Sequence, residues 1–160
     1  MKVAILGFGK MGRIIEKIAI ERGHNILLKI NQNNIDELNI ENLKKADVII
    51  DFSTPESAKT NIILSIDANK PIISGTTGWL NDLKEVKDYC NINNGTFLYS
   101  SNFSLGVNLF FELNKNLAKL MKKHQQYQIN LTEIHHSEKL DAPSGTAICL
   151  AEQIISESNI

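Results

Sequence analysis

The chain has 160 residues, about one domain on the usual range of 100–200 residues, and its 42% hydrophobic and 22% charged content excludes a disordered or fibrous protein. Its 17 Lys and Arg against 18 Asp and Glu leave a net charge of −1, and Arg13 and Arg22 are the sole arginines. A near-neutral chain gives no general electrostatic argument for nucleic acid or for an anionic membrane, and phosphate-reading arginine clusters are excluded, so neither partner is expected.

The first stretch, MKVAILGFG, has one lysine and a short apolar run, far less than a signal-peptide h-region or the ~20 residues of a membrane span. A soluble, cytoplasmic protein is expected. Cys90 and Cys149 are too few for a disulfide framework and lack metal-ligand spacing, so both read as free thiols.

Lys2 to Leu6 is an apolar run that stops at glycine, as a buried strand does. Met11, Ile14, Ile15 and Ile18 then recur at helical spacing, with Gly23 as a C-terminal cap. A second strand is predicted over Ile26 to Ile30, followed by an asparagine-rich polar stretch from Asn31 to Lys45. The third strand, Val48 to Phe52, leads through Ser53 and Thr54 to Pro55, which opens a helix. Pro71 to Ser74 is a fourth strand, running into Gly75-Thr76-Thr77-Gly78 and an amphipathic stretch from Leu80 to Tyr89. Thr96 to Tyr99 is a fifth, ending at Ser100-Ser101-Asn102-Phe103. Strands alternating with helices predict an α/β fold, an open, doubly wound parallel sheet covered on both faces.

The pattern changes near Ser104. One long helix is predicted over Leu105 to Lys123, with Val107, Phe110, Phe111, Leu113, Leu117 and Leu120 apolar. Alternation from Tyr127 to Ile134 predicts a strand with one wet face, and a second helix starts near Ser144. A boundary at residues 103–107 divides a domain of residues 1–103 from one of residues 104–160.

Gly7-Phe8-Gly9-Lys10-Met11-Gly12 is G-x-G-x-x-G between a strand and a helix. The first glycine suits the tight turn, the second the close approach of a pyrophosphate, the third the packing of helix on strand. The helix N-terminus favours the phosphate charge. In this setting the motif points to dinucleotide binding. The position that would carry a ribose-binding acid about 20 residues on is Asn31 or Gln32. A neutral amide can bind a hydroxyl or a phosphate, so NADH and NADPH both stay open. Gly75, Thr76 and Thr77, and the run Ser100 to Phe103, lie where ligands of open α/β sheets bind, and each also reads as an ordinary turn.

The densest polar cluster runs from Glu133 through His135, His136, Ser137, Glu138, Lys139 and Asp141 to Ser144-Gly145-Thr146. No third ligand stands at recognisable spacing from the two histidines, so no metal site is read here. Imidazole and ammonium together suit a site that donates protons and attracts an anion. Ser144 caps the coming helix, whose first N–H groups, with the Thr146 hydroxyl, suit a carboxylate or phosphate. The cluster points to a small acidic substrate.

GFGKMGR, DFSTPE, GTTG, SNFSLGVN and above all E-I-H-H-x-x-K-x-D-A-P-S-G-T-A resemble the dihydrodipicolinate reductase family of bacterial lysine and diaminopimelate synthesis, from residue 2 to about 155. The resemblance implies a tetrameric, cytoplasmic, NADPH- or NADH-dependent enzyme with a Rossmann-type domain followed by an α+β substrate and tetramerisation domain. It implies His135 as proton donor and acceptor, and Lys139 as a proton donor that also stabilises developing charge. His136, with Gly145 and Thr146 and the adjoining Ser144, would bind a cyclic imine dicarboxylate. Gly7 to Gly12, Asn31, Gly75 to Thr77 and Ser100 to Phe103 would hold the dinucleotide. The glycine loop looks one residue shorter than the family's G-x-x-G-x-x-G, which bears on cofactor preference. Family chains run on past the position of Ile160, so residues 104–160 are expected to be an incomplete second domain. The competing reading is a nucleotide-binding regulatory or inactive fragment with the same fold. Retained His135, Lys139 and Thr146 speak against it.

Overall fold

The computed structural model describes residues 1–135, 137 and 142–158. A strand with both faces covered has no wet side to alternate with, and this is why β1 (Lys2–Leu6) is apolar from Val3 onward and buried there throughout. Four more strands join it: β2 (Asn25–Ile30), β3 (Val48–Asp51), β4 (Ile72–Ser74) and β5 (Phe97–Tyr99). All pairs are parallel, in the order β2-β1-β3-β4-β5. The chain leaves β1 toward one edge and returns past it to β3, so the topological switch falls between β1 and β3. Ligands of open α/β sheets bind at the strand carboxyl ends beside such a switch.

The helices between the strands are α1 (Lys10–Glu21), the short α2 (Ile40–Leu43), α3 (Pro55–Asp67) and α4 (Leu83–Ile92). Proline occupies the first position of α3, where its missing N–H leaves no intrahelical bond unmade. Gly23, at φ +77°, follows α1 in the left-handed region that a helix end requires. The core of this part joins Leu6, Ile49, Ile62, Ile72, Trp79 and Val86. Trp79 meets Phe97 and Tyr99 edge-on, at 6.0 and 5.4 Å between ring centres. The amphipathic stretch expected from Leu80 to Tyr89 opens with a single 3₁₀ turn over Leu80–Asp82 and continues as α4.

Two compact units result, Met1–Ser101 and Asn102–Ile160. In the second, α5 (Leu105–Met121) and α6 (Gly145–Ser158) pack together around Phe111, Ala118, Ala147 and Leu150. The Asn114 amide donates to the Leu150 carbonyl and to Gln153 Oε1, both at 3.1 Å. Leu109, Leu113, Leu117 and Leu120 on α5 are exposed. The strand predicted over Tyr127 to Ile134 is absent: these residues have no ladder, and Ile134 is 91% exposed. Alternation alone cannot make a strand where no second strand is offered, because its N–H and C=O groups would lack partners. Among the described residues this unit holds none.

Candidate functional site

The rim of the parallel sheet is assembled around three turns. Gly7 ends β1 at φ +89°, and a Cβ there would lie 2.1 Å from the Phe52 carbonyl oxygen. The N–H groups of Gly7 and Phe8 both donate to the Ile30 carbonyl, at 3.0 and 2.8 Å, which ties the turn to the end of β2. A Cβ on Gly12 would meet the Gly7 carbonyl at 2.4 Å, so α1 approaches the turn as closely as backbone allows. Gly9 differs. It precedes the first turn of α1, which has no side-chain cap and no acidic residue, and a Cβ on it would find nothing within 4 Å. Lys10 and Met11 beside it are exposed. The Arg13 guanidinium and the Lys29 ammonium lie 5.6 and 5.0 Å from the centre of the Phe8 ring, and Lys29 also pairs with Glu16 at 2.9 Å.

Asn31 follows β2 and folds on itself. Its Oδ1 accepts the Asn33 N–H at 2.8 Å while its own N–H donates to Asn34 Oδ1 at 2.9 Å.

Asp51, at the end of β3, is wholly buried and accepts four hydrogen bonds. Ser53 Oγ (2.6 Å) and the Asn61 amide (2.8 Å) donate to one oxygen; Ser74 Oγ (2.8 Å) and Thr76 Oγ1 (2.7 Å) donate to the other. Thr76 Oγ1 in turn accepts the Ser53 N–H at 2.8 Å, and the Thr76 carbonyl accepts the Trp79 indole N–H at 2.7 Å. The Gly75 N–H donates to the Asp51 carbonyl, and a Cβ on Gly75 would enter the Phe52 ring at 2.2 Å. Phe52 therefore separates the Gly7 turn from the Gly75 turn, and Asp51 joins the turn after β3 to the Gly75 turn by hydrogen bonds. Thr77 and Ser101 are exposed on this rim, and the Ser100 N–H donates to the Ser74 carbonyl at 3.2 Å. Sequence reasoning assigned no role to Asp51, Phe52 or Ser53. The available signal was a carboxylate closing an otherwise apolar strand, Val-Ile-Ile-Asp.

In the second unit, Asn102 Oδ1 accepts the Ser104 N–H at 2.8 Å ahead of α5, and Phe103 is about half exposed, at 47%. His135 Nε2 lies 2.9 Å from Glu133 Oε2. The same carboxylate takes the Ser144 N–H, at 2.9 and 3.2 Å to its two oxygens, and the Ser144 hydroxyl at 2.6 Å. Ser144 is buried and caps α6, its Oγ accepting the Ala147 N–H at 3.1 Å. The Ser144 hydroxyl, then His135, then the Ser144 N–H hold the Glu133 carboxyl at about 2, well below its ordinary 4.5. Gly145 is exposed with open space where a Cβ would stand, and Thr146 is half-buried next to it. Glu133 stood in the polar cluster without an assigned role. Its pairing with Ser144 spans eleven residues and has no periodic signature. His136 and Lys139 lie outside the described residues. Among the described residues no three His, Cys, Asp or Glu gather as a metal site would, and no helix is long and apolar enough to cross a membrane.

A parallel sheet with a glycine turn at its switch point and a helix N-terminus open beside it defines the Rossmann-like class of α/β folds. Comparison with known proteins narrows this. Residues 1–103 match the family model "Dihydrodipicolinate reductase, N-terminus" and residues 106–159 match "Dihydrodipicolinate reductase, C-terminus". The chain belongs to the dihydrodipicolinate reductase family. It is 45% identical over 159 residues to the 4-hydroxy-tetrahydrodipicolinate reductase of Christiangramia forsetii, covering 99% of this chain and 66% of that one. It is 38% identical over 154 residues to that of Rickettsia rickettsii, covering 95% and 62%. The chain thus spans a little under two thirds of the length of these curated relatives. Among solved structures it is similar to a dipicolinate-bound dihydrodipicolinate reductase from Paenisporosarcina sp. TG-14, with a TM-score of 0.79 and 25% identity over 99% of this chain and 66% of that one. A probable dehydrogenase from Thermotoga maritima shares the fold at a TM-score of 0.51, with 12% identity over 78% and 41% of the two chains.

Proposed function

We propose that this protein carries out the NAD(P)H-dependent reduction of 4-hydroxy-tetrahydrodipicolinate to tetrahydrodipicolinate, with loss of water, in lysine and diaminopimelate synthesis. The observation that carries the reading is the match of both parts of the chain, in order, to the two family models. The name of the Paenisporosarcina structure adds a bound planar dicarboxylate, which fits a substrate held at the start of a helix.

The residues present fit a dinucleotide. Open space above Gly9 and the uncapped start of α1 would accept a pyrophosphate, with Phe8, Lys10 and Met11 around it. Asn31 would meet the ribose. Thr77, Ser100, Ser101, Asn102 and Phe103 would line the remainder together with the backbone of Gly75 and Thr76, the Thr76 hydroxyl being turned inward to Asp51. Bound there, the reduced nicotinamide supplies hydride. The protein's share is protons and charge. His135 gives a proton to the departing hydroxyl or to the ring, and Lys139 offsets the negative charge that develops on the conjugated imine. His136, Ser144, Gly145 and Thr146 hold the carboxylates. The working form is a cytoplasmic homotetramer.

A steady-state assay of NADPH oxidation with freshly generated substrate tests the reading. Lys139→Ala is expected to lower kcat about a hundredfold or more with little change in KM, because its charge matters most in the transition state. Thr146→Val is expected mainly to raise KM. An effect of Lys139→Ala on KM alone would make the lysine a substrate anchor. No oxidation of NADPH or NADH by the wild type would leave only the binding module.

A further inference from the structure

The proposed reaction gives Glu133 no part, although it stands two residues before His135. An ionised carboxylate is acceptor-only, so the atom 2.9 Å from it on the His135 ring has to bring a hydrogen. That atom is Nε2. A neutral imidazole has one N–H, and placing it on Nε2 leaves the lone pair on Nδ1. The carboxylate is itself fixed, since the N–H and hydroxyl of Ser144 hold it from the start of α6. Both side chains are partly shielded, with 34% of His135 and 26% of Glu133 exposed. The depression of the Glu133 carboxyl to about 2 agrees with an acceptor that stays ionised at neutral pH.

We infer that Glu133 is a positioning residue: it holds His135 in the Nε2–H tautomer and anchors the ring to the first turn of α6, so that Nδ1 is the nitrogen that exchanges a proton with the substrate. The inference rests on the reading of His135 as the proton donor. Its structural part is independent of that reading, because a tautomer can be observed with no substrate present.

The test is a two-bond 1H–15N correlation spectrum of the full chain, labelled with 15N, at a pH where the His135 ring is neutral. The wild type is expected to show Nε2–H. In Glu133→Gln the amide keeps an acceptor for Ser144 and can turn its NH2 toward the ring. The proportion of Nδ1–H relative to Nε2–H is then expected to rise about tenfold or more, the scale of one charge-assisted hydrogen bond. Ser144→Ala weakens the helix cap but keeps the carboxylate; it is expected to lower Tm without moving the tautomer ratio. In turnover Glu133→Gln is expected to lower kcat and leave KM nearly unchanged. A wild type mainly in the Nδ1–H form, a Glu133→Gln spectrum like the wild type's, or an equal tautomer shift in Ser144→Ala would overturn the inference. So would a shifted tautomer with undiminished kcat. A wild type without reductase turnover would fail the proposed function instead, while the tautomer ratio would still decide what Glu133 does to the ring.

Discussion

Glycines of one motif meet different demands. A methyl group on Gly7 would collide with the Phe52 carbonyl and force a side chain into the left-handed region, whereas Gly9 faces open space. Gly7→Ala is therefore expected to destabilise the fold, by about 1–3 kcal/mol for the backbone strain before the clash is added. Gly9→Val is expected to leave the urea midpoint nearly unchanged and to weaken NADPH binding at least tenfold in a fluorescence titration. Equal affinity of wild type and Gly9→Val would place the pyrophosphate elsewhere. Asn31 sharpens the question of cofactor preference. Its Oδ1 is engaged by the Asn33 N–H, so the amide end is the part that can turn outward, and an N–H donor suits a ribose hydroxyl oxygen and a phosphate oxygen alike. NADH and NADPH are expected to bind within about one order of magnitude, or ~1.4 kcal/mol. Titrations differing a thousandfold would mean that a cation such as Lys10 or Lys29 reads the 2′ position. The motif was legible in the sequence because its residues are neighbours in the chain. The Phe52 wall that makes Gly7 and Gly75 obligatory was not, because it comes from a distant part of the chain, just past β3.

At the scale of elements, buried strands and helix starts were readable and the segment between α5 and α6 was not. Runs such as Val-Ile-Ile-Asp and Lys-Val-Ala-Ile-Leu have no alternation because both faces are covered, and proline or glycine punctuates their ends. Tyr127 to Ile134 has the alternation of a strand and no ladder, since a strand is a relation between two segments. The start of α6 gives a pH-dependent prediction. Glu133 is held at about 2 in the fold against an ordinary 4.5, so its support for α6 is complete above 4.5 and is lost as pH falls through about 2. Hydrogen-exchange protection of the Ser144 amide, corrected for intrinsic rates, is expected to drop across that window. In Glu133→Gln, which has no charge to lose, it is expected to stay flat. A flat wild-type profile would show that the carboxylate does not hold the helix start.

For the whole molecule, the deepest apolar cluster lies within residues 1–101, from Ala4 and Leu6 to Val86 and Cys90. A sheet of five strands with its helices buries enough apolar surface to stand alone. Residues 1–101 expressed separately are expected to unfold cooperatively in urea and to bind NADPH within about tenfold of the full chain's affinity. A noncooperative transition would show that the first unit needs the second. Residues 102–160, with two helices and exposed leucines along α5, are not expected to unfold cooperatively when expressed separately. The sequence by itself determined the alternating α/β order, the glycine turn at the end of β1 and the polar cluster before α6, because periodicity, punctuation and composition are local properties. Only the tertiary structure decided that Asp51 binds the turns after β3 and β4 together, that Phe52 separates two glycines, and that Glu133 joins His135 to Ser144. Those contacts bring together residues whose separation in the chain follows no period, and the physical reason for each is the packing of one element against another.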